Sequence, residues 1–182
     1  MEEKLIRDAL MLWATIDPIG TLAIFASITA ALTPGQRRKT AFKATFYSAL
    51  ILLGSIVIGQ ILLSALGIDL LSLQVAGGAI LFLFALQMIF GSKMDEQGGA
   101  TNSQHDLAVF PLAVPSIASP GAIMAVIVLT DNNLHGIAEQ AATAGVLIGV
   151  LVITCLLMLA STQIVRVIGN NGAAILVRVM GL

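Results

Sequence analysis

Residues 15–25 read TIDPIGTLAIF and interrupt a largely apolar stretch that runs from Leu5 to Leu32. Asp17, Pro18 and Gly20 fall within four residues, and a plain buried helix avoids all three. Proline removes an intrahelical donor and clashes with the preceding turn, so the spacing predicts a break near Asp17. Length points the same way. Twenty-seven residues separate Leu5 from Ala31 inclusive, about 40 Å of unbroken helix at 1.5 Å per residue. That exceeds a hydrocarbon layer about 30 Å thick.

The solvent implied by the composition is lipid. The chain has 182 residues, 58% hydrophobic and 10% charged, with a mean hydropathy of +0.99. A soluble domain carries about 25% charged residues to cover its surface. A net charge of −1 and the lack of a basic stripe exclude a nucleic-acid partner. Cys155 is the single cysteine, set among ITCLLML, which excludes an internal disulfide and reads as a small core residue. The start, MEEKLIRD, is not a basic signal-peptide leader, so the first apolar segment reads as a retained span.

Spanning takes roughly 20 apolar residues, and five segments qualify: 5–32, 41–66, 70–91, 108–130 and 137–162. A sixth begins near Gly172 and runs AAILVRVMGL to the last residue, too short to cross, which suggests a truncated final helix. Residues 92–107, SKMDEQGGATNSQHDL, read as a polar linker between two halves, 1–91 and 108–182. His105 and His135 lie in connections without neighbouring ligands, so no metal or other cofactor is expected. Arg37, Arg38, Lys39, Lys43, Lys93 and Arg166 fall on one side and Lys4 and Arg7 on the other. The positive-inside rule then places the first side in the cytoplasm and the N-terminus outside.

A shift of 101 residues pairs Thr15-Ile16 with Ser116-Ile117, Gly20 with Gly121 and Thr29 with Thr130; a shift of 102 to 103 pairs Leu66-Gly67 with Ile168-Gly169 and Gly78 with Gly181. Three spans per copy is odd, so the second copy enters inverted. Inverted repeats with an interrupted helix in each half mark many secondary transporters. The expected fold is therefore all-α and integral to the membrane, with six spans in two inverted three-helix repeats. Four of the five prolines, Pro18, Pro111, Pro115 and Pro120, lie in segments one and four, which should be the broken helices.

Asp17 is the one acidic residue read as central to a span, and an intramembrane carboxylate marks an ion, proton or substrate site by default. The alternative is a cap on the half-helix that follows Pro18; the two roles are compatible. Thr15, Thr21, Ser116 and Ser119 flank the breaks and either bind a polar substrate or bond their own helices. Gln74 is a second candidate ligand; Gly77 and Gly78 beside it read as close-packing positions. Arg178 either snorkels to the interface or pairs with a polar group in the cavity. With Pro18, Gly20, Pro115, Pro120 and Gly121 lining the breaks, these residues make the candidate substrate and ion site.

DPIGTLAIF, RRKTAFKA, VAGGAILFLFALQMIF, FPLAVPSIASPGAIM and VRVMGL together resemble the MarC family of bacterial inner-membrane proteins, also known as small neutral amino acid transporters. The resemblance covers essentially the whole chain. It implies six spans with the N-terminus outside and a last helix continuing beyond MGL. The family often has Asn-x-Pro where this chain has Thr21-Leu22-Ala23, and Gly where this chain has Ser119, so substrate preference does not transfer directly. Some relatives look like carriers of glycine and alanine; the historical label is multiple antibiotic resistance.

The leading expectation is a secondary transporter of a small neutral amino acid, coupled to H+ or Na+ and able to form a homo-oligomer. A half-helix N-terminus would receive the carboxylate; Asp17 or unwound carbonyls would receive the ammonium. The alternatives are a passive channel, an efflux protein for drugs or other solutes, and a non-transport membrane protein. No enzyme is expected, because no HExxH, intramembrane His or second central carboxylate is present.

Overall fold

The computed structural model describes residues 2–67, 107–132 and 134–180, the last with side chains to 164, and scattered positions between 69 and 86. Six helices follow in chain order: α1 (Glu2–Ile16), α2 (Pro18–Ile28), α3 (Pro34–Leu66), α4 (Ala108–Ile117), α5 (Pro120–Leu129) and α6 (Ile137–Met180). The described positions between 71 and 86 are helical as well, within the expected third segment.

Each boundary has a local cause. Pro18, Pro34 and Pro120 open their helices, where the missing N–H would be unpaired anyway. At α3 the sequence TPGQ forms a reciprocal cap: Thr33 N donates to Gln36 Oε1 at 2.9 Å and Gln36 N to Thr33 Oγ1 at 3.4 Å. Gly67 ends α3 with φ 64°, a left-handed turn that only glycine adopts at little cost.

Among the described residues, three stretches are long and apolar enough to cross a membrane: Glu2–Ile28, Pro34–Gly59 and Ile137–Ser161. A fourth is the pair α4–α5, bent by 53° at 118–119. Large apolar side chains face outward, as in a lipid-embedded bundle, and small residues are prominent among the inward ones. On α3, Ala41, Ala44 and Ser48 are buried while Phe42, Phe46 and Leu50 are exposed. On α6, Thr143, Leu147, Val150, Leu151, Thr154, Met158 and Ser161 form one buried stripe, while Ile148, Val152 and Leu156 face outward. Two of the buried hydroxyls bond within their own helices: Ser48 Oγ donates to Ala44 O and Thr154 Oγ1 to Val150 O, both at 2.8 Å. The described residues form an all-helical fold with helices long and apolar enough to cross a membrane.

α2 packs chiefly along α6, α1 against α6 and α5, and α3 against α4, α5 and α6. Gly59 makes the α3–α5 contact possible, since a Cβ there would lie 2.6 Å from Ile127 Cγ1. Arg37, read from sequence as part of a topology signal, also joins helices. Its Nη2 donates to Ser161 Oγ at 3.1 Å, and its guanidinium lies 5.7 Å from the Phe25 ring centroid.

Two expectations change. The turn foreseen between segments five and six, around 163–171, does not form; the backbone stays helical to Met180. No proline follows Pro120, and Gly172 within a helix costs only about 1 kcal/mol, so nothing local forces a break. At Gly78 the described residues show no close packing: it is exposed among them, and a Cβ there would meet none of their atoms within 4 Å. Most of linker 92–107, together with Gln74 and Gly77, lies outside the described residues, as does the side chain of Arg178.

Candidate functional site: two helix breaks that face each other

The first break is a single residue. Asp17 adopts φ 47°, ψ 71°, the left-handed conformation that Asp and Asn tolerate better than other side-chain-bearing residues. The backbone ladder continues on both sides of it, with Asp17 N donating to Trp13 O at 3.0 Å and Thr21 N to Asp17 O at 2.9 Å. The helix is therefore interrupted rather than unwound. Asp17 Oδ1 accepts from Gly20 N at 2.9 Å and caps α2. Gly20 must be glycine for this, because a Cβ would sit 2.8 Å from Asp17 Cγ.

The second break is wider. Phe110 (φ −128°, ψ 127°) and Val114 (φ −131°, ψ 126°) are extended, the conformation that a following proline imposes. α4 is therefore kinked at Phe110 and Val114 rather than one regular helix, and at its end Ala118 N donates to Ala113 O at 2.8 Å, five residues back. Ser119 then caps α5, its Oγ accepting from Ala122 N at 3.0 Å and its carbonyl from Ile123 N at 2.9 Å.

α2 and α5 are thus built alike. Each has a polar N-cap bonded three residues on (Asp17, Ser119) and a proline at its first position. Each ends on a threonine whose hydroxyl donates four residues back at 2.6 Å, Thr29 to Phe25 O and Thr130 to Val126 O. The caps are 102 residues apart and the terminal threonines 101, because α2 has 11 residues and α5 has 10.

The breaks touch. Ser119 Oγ donates to Thr15 O at 3.1 Å, meeting a carbonyl at the end of α1. Thr21 Oγ1 and Ser116 Oγ lie 3.1 Å apart, and Thr21 Oγ1 also reaches Ile16 O at 3.4 Å. Freed backbone groups that cannot face lipid are answered by the opposite break. Of the four hydroxyls expected here, Thr21, Ser116 and Ser119 bridge the breaks; Thr15 bonds its own helix, to Met11 O at 2.9 Å. Pro18, Gly20 and Gly121 are buried, Asp17 and Pro115 half-buried, and Pro120 exposed. Ser119→Ala removes both a cap and the bridge to Thr15; it should lower stability by about 1–2 kcal/mol in chemical unfolding, while Ser119→Thr should restore most of it.

Asp8 is not among the site residues expected from sequence. It is completely buried, bonded to Lys4 Nζ and Thr143 Oγ1, both at 2.6 Å. The signal available was the Lys4–Asp8 spacing of four, which faces one side of a helix.

Comparison with known proteins places the chain among integral membrane proteins. A profile of MarC family integral membrane proteins matches residues 3–182. The chain belongs to the MarC family. Among relatives of this MarC-family chain is a UPF0056 membrane protein of Buchnera aphidicola (subsp. Schizaphis graminum), 29% identical over 179 residues, 98% of this chain and 89% of that one. Another is UPF0056 membrane protein YhcE of Escherichia coli K12, 31% identical over 177 residues, 94% and 81% of the two chains. An archaeal UPF0056 membrane protein, from Archaeoglobus fulgidus, is 31% identical over 175 residues, 94% and 82%. No solved structure matches this MarC-family chain.

Proposed function

We propose that this MarC-family protein is a secondary carrier of small neutral amino acids, binding its substrate between the two helix breaks. The observation that carries this reading is the direct contact of the breaks through Ser119–Thr15 and Thr21–Ser116. Paired interrupted helices near mid-membrane supply the polar backbone with which carriers hold ions and zwitterions. The matched construction of α2 and α5 supports the further reading that the two broken spans, α1–α2 and α4–α5, are equivalent elements of an inverted repeat. The basic residues favour the chain's N-terminus outside.

The breaks differ in charge, and that difference orients a zwitterion. α2 begins on an anion, Asp17, which already offsets the positive end of its helix dipole. α5 begins on neutral Ser119. The substrate carboxylate therefore goes to the α5 N-terminus and its ammonium to Asp17 and the Thr21–Ser116 hydroxyls.

Asp17→Asn isolates the charge, since asparagine tolerates the left-handed conformation and still caps. Losing a charge-assisted bond worth about 1.5–3 kcal/mol should reduce uptake of labelled alanine into proteoliposomes about 10-fold or more, with stability nearly unchanged. Response to an imposed pH gradient should disappear as well. Counterflow by the wild-type chain separates carrier from channel, because a pore neither saturates nor exchanges label against a gradient. Undiminished uptake by Asp17→Asn would refute the assigned role.

A further inference from the structure

The first turns of α1 and α6 hold a polar cluster apart from the breaks. Lys4 Nζ lies 2.6 Å from Asp8 Oδ2, 2.8 Å from Thr143 Oγ1 and 3.5 Å from the carbonyl of Leu129. A carboxylate, a hydroxyl and a helix-terminal carbonyl thus converge on one positive charge from three helices, α1, α6 and α5. Leu129 is the last residue of α5, where the helix dipole places negative partial charge. The Thr143 hydroxyl accepts from Lys4 and reaches Asp8 Oδ2 at 2.6 Å, so its lone pair faces the cation. Asp8 is completely buried, and its second oxygen, Oδ1, has no hydrogen-bond partner.

A buried carboxylate oxygen without a partner is costly and calls for another ligand. An all-oxygen set with a single carboxylate balances one positive charge and suits a hard cation. The occupant in this structure is part of the chain, yet it is loosely anchored. Lys4 sits in the first turn of the first helix, its side chain is 13% exposed, and its four-carbon stem lets the ammonium swing to water.

We propose that Asp8, Thr143 and the Leu129 carbonyl form a monovalent-cation site that Lys4 fills as a tethered competitor. With Lys4 in place the protein needs no inorganic cation there; with Lys4 neutralised, sodium or potassium takes the position, and Asp8 Oδ1 becomes a further ligand. α1 leads from this site to the first break and α5 leads to it from the second. Occupancy of this site, by Lys4 in the wild type, is thereby tied to the helices that carry the proposed substrate site. That consequence rests on the carrier reading; cation binding itself does not.

The test is the thermal melting of purified full-length protein in sodium or potassium chloride against choline chloride at equal ionic strength. Lys4→Met should gain at least ~3 °C from sodium or potassium in a saturable manner. The wild type and the double variant Lys4→Met/Asp8→Asn should not respond. Lys4→Gln keeps a donor for Asp8 and serves where Lys4→Met is too unstable to purify. Equilibrium binding of labelled sodium and of labelled rubidium, a potassium surrogate, reads the same site without melting: near one cation per chain in either single variant, none in the double. Equal melting in all three salts with no bound label, or the same response in the double variant, overturns the site. Neither measurement depends on uptake, so loss of the carrier reading leaves this result standing.

Discussion

In choline chloride, Lys4→Met destabilises the protein by about 3–5 kcal/mol, the cost of stranding one member of a buried ion pair. Asp8→Asn costs less, about 1–1.5 kcal/mol. The asymmetry follows from reach. Asp8 is completely buried on a short side chain and has no path to water when its partner is removed. Lys4 is partly exposed and snorkels outward when Asp8 is neutralised. Adding Asp8→Asn to Lys4→Met should therefore raise stability above that of Lys4→Met alone, a coupling visible in a double-mutant cycle. Chemical unfolding of the four proteins measures it. Equal losses from the two single changes would mean that Asp8 reaches solvent, contrary to its burial.

The contrast between this cluster and the breaks shows what a single sequence exposes. Asp17-Pro18 and Ser119-Pro120 are local signals: a capping side chain, then a residue that only opens helices, so the breaks were legible from neighbours alone. The link between them was legible in outline, because the offset of about 101 residues aligned equivalent positions. Which hydroxyl meets which carbonyl was not. Thr21–Ser116 and Ser119–Thr15 join residues 95 and 104 positions apart, and no periodicity reports such contacts. Lys4–Asp8 carried a visible helical spacing, but Thr143 lies 135 residues from Asp8; without it the pair reads as solvated charge at a helix end. The run from 163 to 180 misled for the opposite reason. Asn170, Asn171 and Gly172 have turn-like composition, yet α6 passes through them unbroken, since propensity only weakly constrains a long apolar helix.

Gly20→Ala tests the break where the geometry is tightest. Within a helix, glycine to alanine ordinarily stabilises by about 1 kcal/mol. Here the new Cβ would sit 2.8 Å from Asp17 Cγ and 3.2 Å from its Oδ1, so the carboxylate must leave Gly20 N. Overpacking of about 1–3 kcal/mol and a lost cap of about 1 kcal/mol outweigh the propensity gain. The expected net loss is about 1–3 kcal/mol, with alanine uptake reduced at least ~10-fold as the charge is displaced. Asp17→Gly in the same chain relieves the clash. Glycine adopts φ 47° freely and as an N-cap is worse than Asp by only a few tenths of a kcal/mol. Gly20→Ala/Asp17→Gly should therefore regain wild-type stability and remain inactive in uptake. That outcome separates the two functions of Asp17: capping, which glycine replaces, and charge, which it does not. Wild-type stability and uptake in Gly20→Ala alone would show that the carboxylate does not lie over Gly20, and the orientation proposed for the substrate would fall with it.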